Sequence, residues 1–325
     1  MSSPPTAAIA PGSWVLVTGA TGFVASHVTR QLLQRGYKVR GTVRDQSKAQ
    51  WLIDDHFKSY ADKGSYELVT VSDISAAGAF DEAVKGVSAV AHIASILGFD
   101  PNPNNVVPQT VAGVTSILES ASNESSVTRF VFTSSQAAAT FLTPDQDGVI
   151  DRNSWNELAV KMAWSPPPYE ASRAMLVYAA SKVAAEQALW KYVADNKPRF
   201  VTNVVSPSGI LGEPLHERHA TAYGNWIHAV FAEKMEMIDS FQSGMFHSST
   251  QIRHCTMIAN LTTKHFLSMS KTLPSSTSLP SWIPKSRKRV SRRGAIKLTT
   301  MISCPFCGNR DQRDRLFQLT LRRST

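Results

Sequence analysis

Tyr178 and Lys182 are two side chains whose spacing could carry out acid–base chemistry. They stand four residues apart in the segment YAASK, inside a helical pattern from Ser172 to Asn196, so both fall on one helix face. A phenol with a pKa of about 10 is a poor proton donor at neutral pH, and a nearby ammonium lowers that pKa by favouring the phenolate. The pair predicts an acid that protonates a carbonyl oxygen. Taken alone, the spacing also fits a tyrosine and a lysine on a surface helix.

Two serines follow a predicted strand and strengthen the first interpretation. The strand covers Arg129 to Thr133, and Ser134 and Ser135 come directly after it. Ligands of open α/β sheets bind beyond the carboxyl ends of the strands. We therefore expect Ser135 to hydrogen-bond a substrate oxygen and Ser134 to face a cofactor, although strand-end hydroxyls also commonly cap the next turn.

A glycine-containing turn joins the strand Trp14 to Thr18 to a helix from Phe23 to Arg35. Gly19 permits a sharp turn, Gly22 lets backbone N–H groups approach a phosphate, and Ala25 lets the helix pack near the strand. In this position the turn predicts a pyrophosphate site rather than a connection without a ligand. The predicted cofactor contacts here are Thr18, Gly19, Thr21, Gly22, Phe23 and Val24.

The end of the second predicted strand favours one dinucleotide over another. A carboxylate at this point usually selects NAD, whereas a basic group accommodates the 2′-phosphate of NADP. Arg44 comes first here, and Lys48 lies one helical turn beyond it. A guanidinium matches the geometry of a phosphate, so we expect Arg44 and Lys48 to bind NADPH or NADP. The alternative is that Arg40 and Arg44 are solvated charges.

Strands alternate with helices over most of the chain and predict an α/β fold with a doubly wound parallel (Rossmann) sheet. We expect a flexible leader at 1–12, a dinucleotide-binding domain with part of a small substrate lobe at 13–240, and a basic tail at 241–325 without regular structure. The predicted strands are Trp14 to Thr18, Lys38 to Val43, Tyr66 to Val71, Ser88 to His92, Arg129 to Thr133 and Phe200 to Ser206. The predicted helices include Phe23 to Arg35, Val106 to Ser122 and Ser172 to Asn196.

The chain of 325 residues has a formal charge of +9, and this charge is unevenly distributed. Residues 241–325 contain 15 Lys and Arg against 2 Asp and Glu, whereas the rest contains 19 against 23. The excess thus belongs to the tail, and we expect neither a nucleic-acid partner nor a metal site from its basic run or its CPFC segment. Cysteines are confined to residues 255–307 and no apolar run approaches membrane-spanning length, which predicts a cytoplasmic protein without a membrane segment.

Seven motifs together resemble the extended short-chain dehydrogenase/reductases, in particular fungal aldehyde reductases and ketoreductases related to dihydroflavonol reductase. The resemblance covers Pro11 to Phe241 and implies that Tyr178 is the acid and Lys182 binds the nicotinamide ribose. The motifs are VLVTGATGFVASHV (15–28), YKVRGTVRD (37–45), DI (73–74), VAHIAS (90–95), RFVFTSS (129–135), VYAASK (177–182) and NVVSPSGILG (203–212). Further implied cofactor contacts are Asp73, Ile74, Ala94, Ser95, Pro207 and Ser208, and implied pocket residues are Ile96, Leu97, Phe99, Phe141 and Trp226.

Together these features predict an oxidoreductase that transfers hydride from NADPH to a small ketone or aldehyde, acting as a monomer or a homodimer. Such reductases typically continue with a strand and helix that are not found after Phe241, so a truncated, inactive reductase is one alternative. A second is a regulatory protein that binds NADP(H) without catalysis. A third is a sugar-nucleotide epimerase, which Arg44 disfavours because that class holds NAD.

Overall fold

The computed structural model describes residues 7–96, 99–141, 150–210 and 212–219, with the backbone of two short strands at 297–299 and 318–320. These residues fall into two compact units. The first holds every described element up to residue 219. The second holds the two short strands, β7 (Lys297–Thr299) and β8 (Gln318–Thr320), which pair antiparallel.

A parallel sheet of six strands forms the centre of the first unit, in the order β3-β2-β1-β4-β5-β6. The order reverses between β1 and β4, and this is the position at which doubly wound sheets open a crevice for ligands. The predicted Rossmann class is confirmed. The strands are β1 (Trp14–Val17), β2 (Lys38–Val43), β3 (Tyr66–Thr70), β4 (Ala89–His92), β5 (Arg129–Thr133) and β6 (Val201–Val205).

Helices cover both faces of this sheet because successive strand residues point to opposite sides. Val15 and Val17 pack with α1, whereas Leu16 packs with α3 and α5. The helices are α1 (Phe23–Gln34), α2 (Lys58–Ala61), α3 (Pro103–Asn123), α4 (Glu157–Ala163), α5 (Ala174–Asn196) and α6 (Glu217–His219). A π-helical turn lies at Leu52–Phe57, and 3₁₀ turns lie at Ser47–Ala49, Gln136–Ala138 and Ala171–Arg173.

The predicted strands agree with the structure to within one residue at each end, and β2 and β5 agree at both ends. The segment predicted as a flexible leader at 1–12 contains one residue of the core. Ile9 is buried in the core on the α1 side, and its carbonyl accepts a hydrogen bond from the Tyr37 hydroxyl, so ordered packing begins before residue 13. An apolar side chain can pack against the sheet when a turn follows it. The proline-rich composition of this segment gave no indication of that packing.

Most of the predicted tail, with its basic run and its cysteines, lies outside the described residues. In the part of the chain that the structure describes, no helix is both long and apolar enough to cross a membrane. Within that same part, no cluster of His, Cys, Asp or Glu side chains could hold a metal ion.

Gly41 in β2 lets the glycine turn lie directly on the sheet. A Cβ atom at this position would come within 2.8 Å of the Ala20 Cβ, closer than side chains tolerate. The two residues are held in this contact because the Ala20 N–H donates to the Thr42 carbonyl at 2.9 Å. The close approach thus depends on the missing side chain.

Gly41→Val should lower the free energy of unfolding by roughly 1–3 kcal/mol, because the clash outweighs the better strand propensity of valine. Chemical denaturation measures the loss. Gly64→Asn is a matched control, since Gly64 lies at φ +63° in open space, a backbone conformation that asparagine tolerates. A Gly41→Val protein as stable as the parent would show that the turn can move off β2.

Candidate active site

The turn between β1 and α1 contains two glycines, Gly19 and Gly22. Gly19 has φ +68°, and a Cβ atom there would lie 3.2 Å from the Cα and Cβ atoms of Ala94. The Gly19 N–H donates to the Thr42 hydroxyl at 3.1 Å, which fixes the turn to β2. Gly22 precedes α1 and offers no side chain to cap it.

The start of α1 fits a bound phosphate. The first N–H groups of any helix have no partner within the helix, and its dipole favours an anion there. Thr21 and Gly22 are exposed, whereas Phe23 and Val24 are partly buried, so the backbone of this turn is open to a ligand. The predicted contacts of the glycine turn therefore have the form that a dinucleotide pyrophosphate requires.

Thr18 connects this turn to β4 through three hydrogen bonds. Its hydroxyl oxygen accepts from the N–H groups of Ile93 and Ala94, both at 2.9 Å, and lies 3.0 Å from the Nδ1 atom of His92. Two acceptor sites are thereby used, so the single hydroxyl proton is donated to Nδ1. His92 must then carry its proton on Nε2 and be neutral.

Burial supports this protonation state of His92. The side chain is inaccessible to solvent, and burial together with the positive charge of Lys182 lowers the pKa of His92 to about 3. A charged imidazole would lose its hydration and repel the nearby ammonium. The candidate site thus has a positive charge on Lys182 and a neutral imidazole ring beside it.

The end of β5 docks on α5 through three consecutive residues. The Thr133 carbonyl lies 3.4 Å from the Lys182 ammonium, and the Ser134 hydroxyl donates to the Glu186 carboxylate at 2.5 Å. The Ser135 hydroxyl lies near the Tyr178 phenol and lowers the pKa of that phenol. Because the helix partners are spaced by four residues, they form one stripe along α5 that matches the strand end. The predicted catalytic residues are therefore brought together.

The pKa of the Tyr178 phenol departs from the expected direction. Burial raises this pKa, and the nearby Ser135 hydroxyl lowers it by a smaller amount. The prediction that the Lys182 ammonium lowers this pKa is wrong. The Lys182 nitrogen lies 6.0 Å from the Tyr178 ring centre, and desolvation of the phenolate is the largest cause of the raised pKa.

Lys182 is itself affected by burial. Removal from water lowers its pKa to about 8, and the nearby Glu186 carboxylate opposes that change. Its ammonium also lies 5.7 Å from the Phe132 ring centre. The lysine thus remains largely charged at neutral pH although it is almost inaccessible to solvent.

The predicted contacts for the rest of the dinucleotide lie along the same carboxyl edge. Arg44 and Lys48 are exposed just beyond β2, and Lys48 forms a surface ion pair with Asp45 at 3.6 Å. Asp73, beyond β3, accepts hydrogen bonds from the backbone and the hydroxyl of Ser75. These bonds lower the pKa of the Asp73 carboxyl and fix its turn.

Ile74, Ala94 and Ser95 line a small recess beside His92, and a Cβ atom at Gly113 of α3 would lie 3.5 Å from the Ile74 side chain. Ile74 therefore has its side chain on α3. Beyond β6, the Pro207 carbonyl accepts from the Gln136 N–H at 2.9 Å and so lies next to the Ser135 turn, whereas Ser208 is exposed.

The predicted substrate pocket is partly described. The Phe99 ring is exposed and lies 6.1 Å from the Tyr178 ring, while Phe141 packs in the same cluster as Tyr178. Ile96 lines the recess beside His92. Leu97 and Trp226 lie outside the described residues.

Comparison with known proteins identifies the family. The sequence model described as the NAD dependent epimerase/dehydratase family matches residues 15–261, which is most of the chain. The protein belongs to this family. The predicted resemblance to extended short-chain dehydrogenase/reductases is thereby confirmed at the family level.

Individual family members give closer comparisons. The chain is 40% identical over 219 residues to the NAD-dependent epimerase/dehydratase terH of Aspergillus terreus, covering 67% of this chain and 64% of terH. It is 40% identical over 227 residues to aldehyde reductase 2 of Sporidiobolus salmonicolor, covering 69% and 66% of the two chains. The chain thus spans less than two thirds of these relatives.

A solved structure of the family shows the same fold. The yeast methylglyoxal/isovaleraldehyde reductase Gre2, complexed with NADPH, superimposes with a TM-score of 0.52 at 30% identity. The match covers 63% of this chain and 60% of Gre2.

Sequence reasoning missed three residues of the site: Thr42, His92 and Glu186. Thr42 and His92 act through hydrogen bonds between separate strands, which no local spacing reveals. Glu186 had a signal, because it lies four residues beyond Lys182 on the same helix face.

Acidification should destabilise the protein through His92. Its folded pKa of about 3 lies below its ordinary value of about 6.5, so the unfolded chain binds the extra proton first. The contribution of His92 is complete above about pH 6.5 and falls by at most about 1.4 kcal/mol per pH unit toward its folded pKa. Denaturant unfolding across this range should show that the free energy of unfolding falls less steeply with decreasing pH in His92→Asn.

Nitrogen NMR should find the proton of His92 on Nε2. Uptake of a second proton near pH 6 in the folded state would contradict this assignment.

Proposed function

We propose that this protein is an NADPH-dependent carbonyl reductase acting on a ketone or an aldehyde. The observation that carries the proposal is the docking of β5 on α5, which gathers Ser135, Tyr178 and Lys182 at the sheet edge where the glycine turn also lies. A phenol, a hydroxyl and a buried ammonium beside a dinucleotide site form a set suited to reduction of a carbonyl group.

The glycine turn would hold the pyrophosphate on the first N–H groups of α1, because neither Gly22 nor Gly19 places a side chain in its way. Arg44 and Lys48 would bind the 2′-phosphate at the end of β2. Ser134, Pro207 and Ser208 would lie near the nicotinamide, and Lys182 would bind its ribose. When bound, NADPH supplies the hydride.

Three residues of the chain would act on the substrate oxygen. Ser135 orients the carbonyl by donating a hydrogen bond to its oxygen. As the carbonyl carbon is reduced, Tyr178 transfers its proton to that oxygen, which leaves a phenolate and an alcohol. The Lys182 charge stabilises the negative charge that develops in the partly dry cleft, where electrostatic interactions are stronger than in water.

The relatives support a small carbonyl substrate. One is named aldehyde reductase 2, another is a ketoreductase of Aspergillus novofumigatus, and the yeast Gre2 structure contains NADPH. Phe99 and Phe141 beside Tyr178 give the pocket an apolar wall, which suits an aliphatic or aromatic group next to the carbonyl.

We further propose that the protein is cytoplasmic, and a fluorescent fusion tests this localisation. We also propose that it is a monomer or a homodimer, and analytical sedimentation tests this oligomeric state.

Oxidation of NADPH in the presence of a panel of aldehydes and ketones tests the whole proposal, with product analysis to confirm the alcohol. Turnover with at least one carbonyl is expected. NADPH binding without turnover across the panel would instead favour a non-catalytic binder or a truncated reductase. Release of tightly bound NAD on denaturation would favour an epimerase.

Tyr178→Phe should reduce turnover by about 100-fold or more, because the lost hydroxyl supplies the transferred proton. The Kd for NADPH should change little, since the ring remains. Tyr169→Phe is a matched control, because Tyr169 contacts Arg173 before α5 rather than Ser135. An equal loss of NADPH binding in Tyr178→Phe would remove its assigned role.

Arg44→Asp should weaken NADPH binding by about 10-fold or more, because a charge-assisted bond to the 2′-phosphate is lost and a like charge is added. NADH has no such phosphate and should be affected far less. Titration of both nucleotides measures the preference, and Arg152→Asp, another exposed arginine, controls for net charge. An unchanged ratio of the two Kd values would exclude Arg44 from the site.

A further inference from the structure

Glu186 lies one helical turn beyond Lys182 on α5 and reaches the end of β5. One carboxylate oxygen accepts from the Ser134 hydroxyl at 2.5 Å, and the other lies 3.4 Å from the Trp190 indole N–H. Each carboxylate oxygen of Glu186 therefore faces a different neighbouring side chain. The side chain is partly buried, so its charge is only partly screened by water.

The surroundings of Lys182 hold few charges. Tyr178 and Glu186 face it from α5, neutral His92 lies near it from β4, and β5 contributes the Thr133 carbonyl and the Phe132 ring. The helices α3 and α4 pack on α5, but none of their titratable residues acts on the pKa of Lys182. Those residues are Glu119, Glu157 and Lys161.

We propose that Glu186 is a positioning residue of the reaction, which supplies the counter-charge of Lys182 and holds the Ser134–Ser135 turn against α5. The proposal rests on the proposed function for the role of Lys182. The carboxylate performs both tasks at once because its negative charge stabilises the ammonium while one of its oxygens accepts the Ser134 proton. Ser135 follows directly in the chain, so a displaced Ser134 would also displace the Ser135 hydroxyl, which lies near the Tyr178 phenol.

Two substitutions separate these tasks. Glu186→Gln keeps the size of the side chain and an oxygen that can accept from Ser134, but it removes the charge. Ser134→Ala removes the hydrogen bond and leaves the charge in place. Asp195→Asn is the matched control, since it removes another carboxylate from α5 that pairs with Lys191 rather than with the site.

The first measurement is the pH profile of kcat/KM for carbonyl reduction. The pKa of Lys182 is about 8 in the parent, and the Glu186 charge raises it, so the alkaline fall should begin at lower pH in Glu186→Gln. The loss of kcat/KM should be small at low pH and grow to about fivefold at pH values above the alkaline fall of the parent. This is the size expected when one partly screened charge a helical turn away is removed. Ser134→Ala should lower kcat at all pH values without moving that limb.

The second measurement does not need turnover. In protein isotope-labelled at lysine Cε, the NMR signal of Lys182 is identified by its loss in Lys182→Met, and its titration midpoint is read directly. The midpoint should move to lower pH in Glu186→Gln and stay in place in Asp195→Asn and Ser134→Ala. Thermal unfolding establishes that each variant is folded.

An unchanged Lys182 midpoint in folded Glu186→Gln would overturn the proposal, as would an equal change in Asp195→Asn, which would reveal a general effect of net charge. Failure of the proposed function is distinguishable, because a parent protein without turnover would still report the midpoint. A shifted midpoint without turnover would support the Glu186 charge assignment while rejecting the carbonyl reductase.

Discussion

The structure of this site depends on the burial of one ammonium group. Lys182 is almost inaccessible to solvent, and removing its charge from water is unfavourable unless nearby groups compensate. The Thr133 carbonyl and the Glu186 carboxylate compensate by attracting the ammonium. His92 is neutral, so it does not repel the ammonium. Each of these partners lies on a different element, so the position of the lysine constrains how β4, β5 and α5 meet.

The network around Thr18 extends that constraint to the glycine turn. Thr18 directs its proton to His92, and this bond requires the neutral imidazole that the nearby ammonium also favours. The same hydroxyl accepts from the backbone beyond β4, and Gly19 then donates to Thr42 of β2. Hydrogen bonds therefore fix the turn that would hold the cofactor to β2 and β4, and His92 of β4 lies beside the lysine that would act there.

Much of the fold could be predicted from the sequence because parallel strands are short, buried and β-branched, and because helices separate them. The strand ends also led to the prediction of Ser135 and the glycine turn, which the structure places at the same edge of the sheet. The contacts of Thr42 and His92 could not be predicted, because they depend on which strands become neighbours. The burial of Ile9 was missed because its segment is rich in proline, and the pKa of Tyr178 was assigned the wrong direction because desolvation is invisible in a spacing pattern.

The raised pKa of Tyr178 and the lowered pKa of Lys182 have one common cause, which is the exclusion of water from the junction of β5 and α5. The phenol therefore keeps its proton at neutral pH, as the proposed transfer to a carbonyl oxygen requires. The same exclusion of water strengthens the attraction between the ammonium and any negative charge that forms on a bound oxygen. A lysine at the surface would remain charged over a wider pH range, but its attraction for that oxygen would be screened. The partly compensated burial of Lys182 thus makes its charge effective at neutral pH, and Glu186 limits how far that burial lowers its pKa.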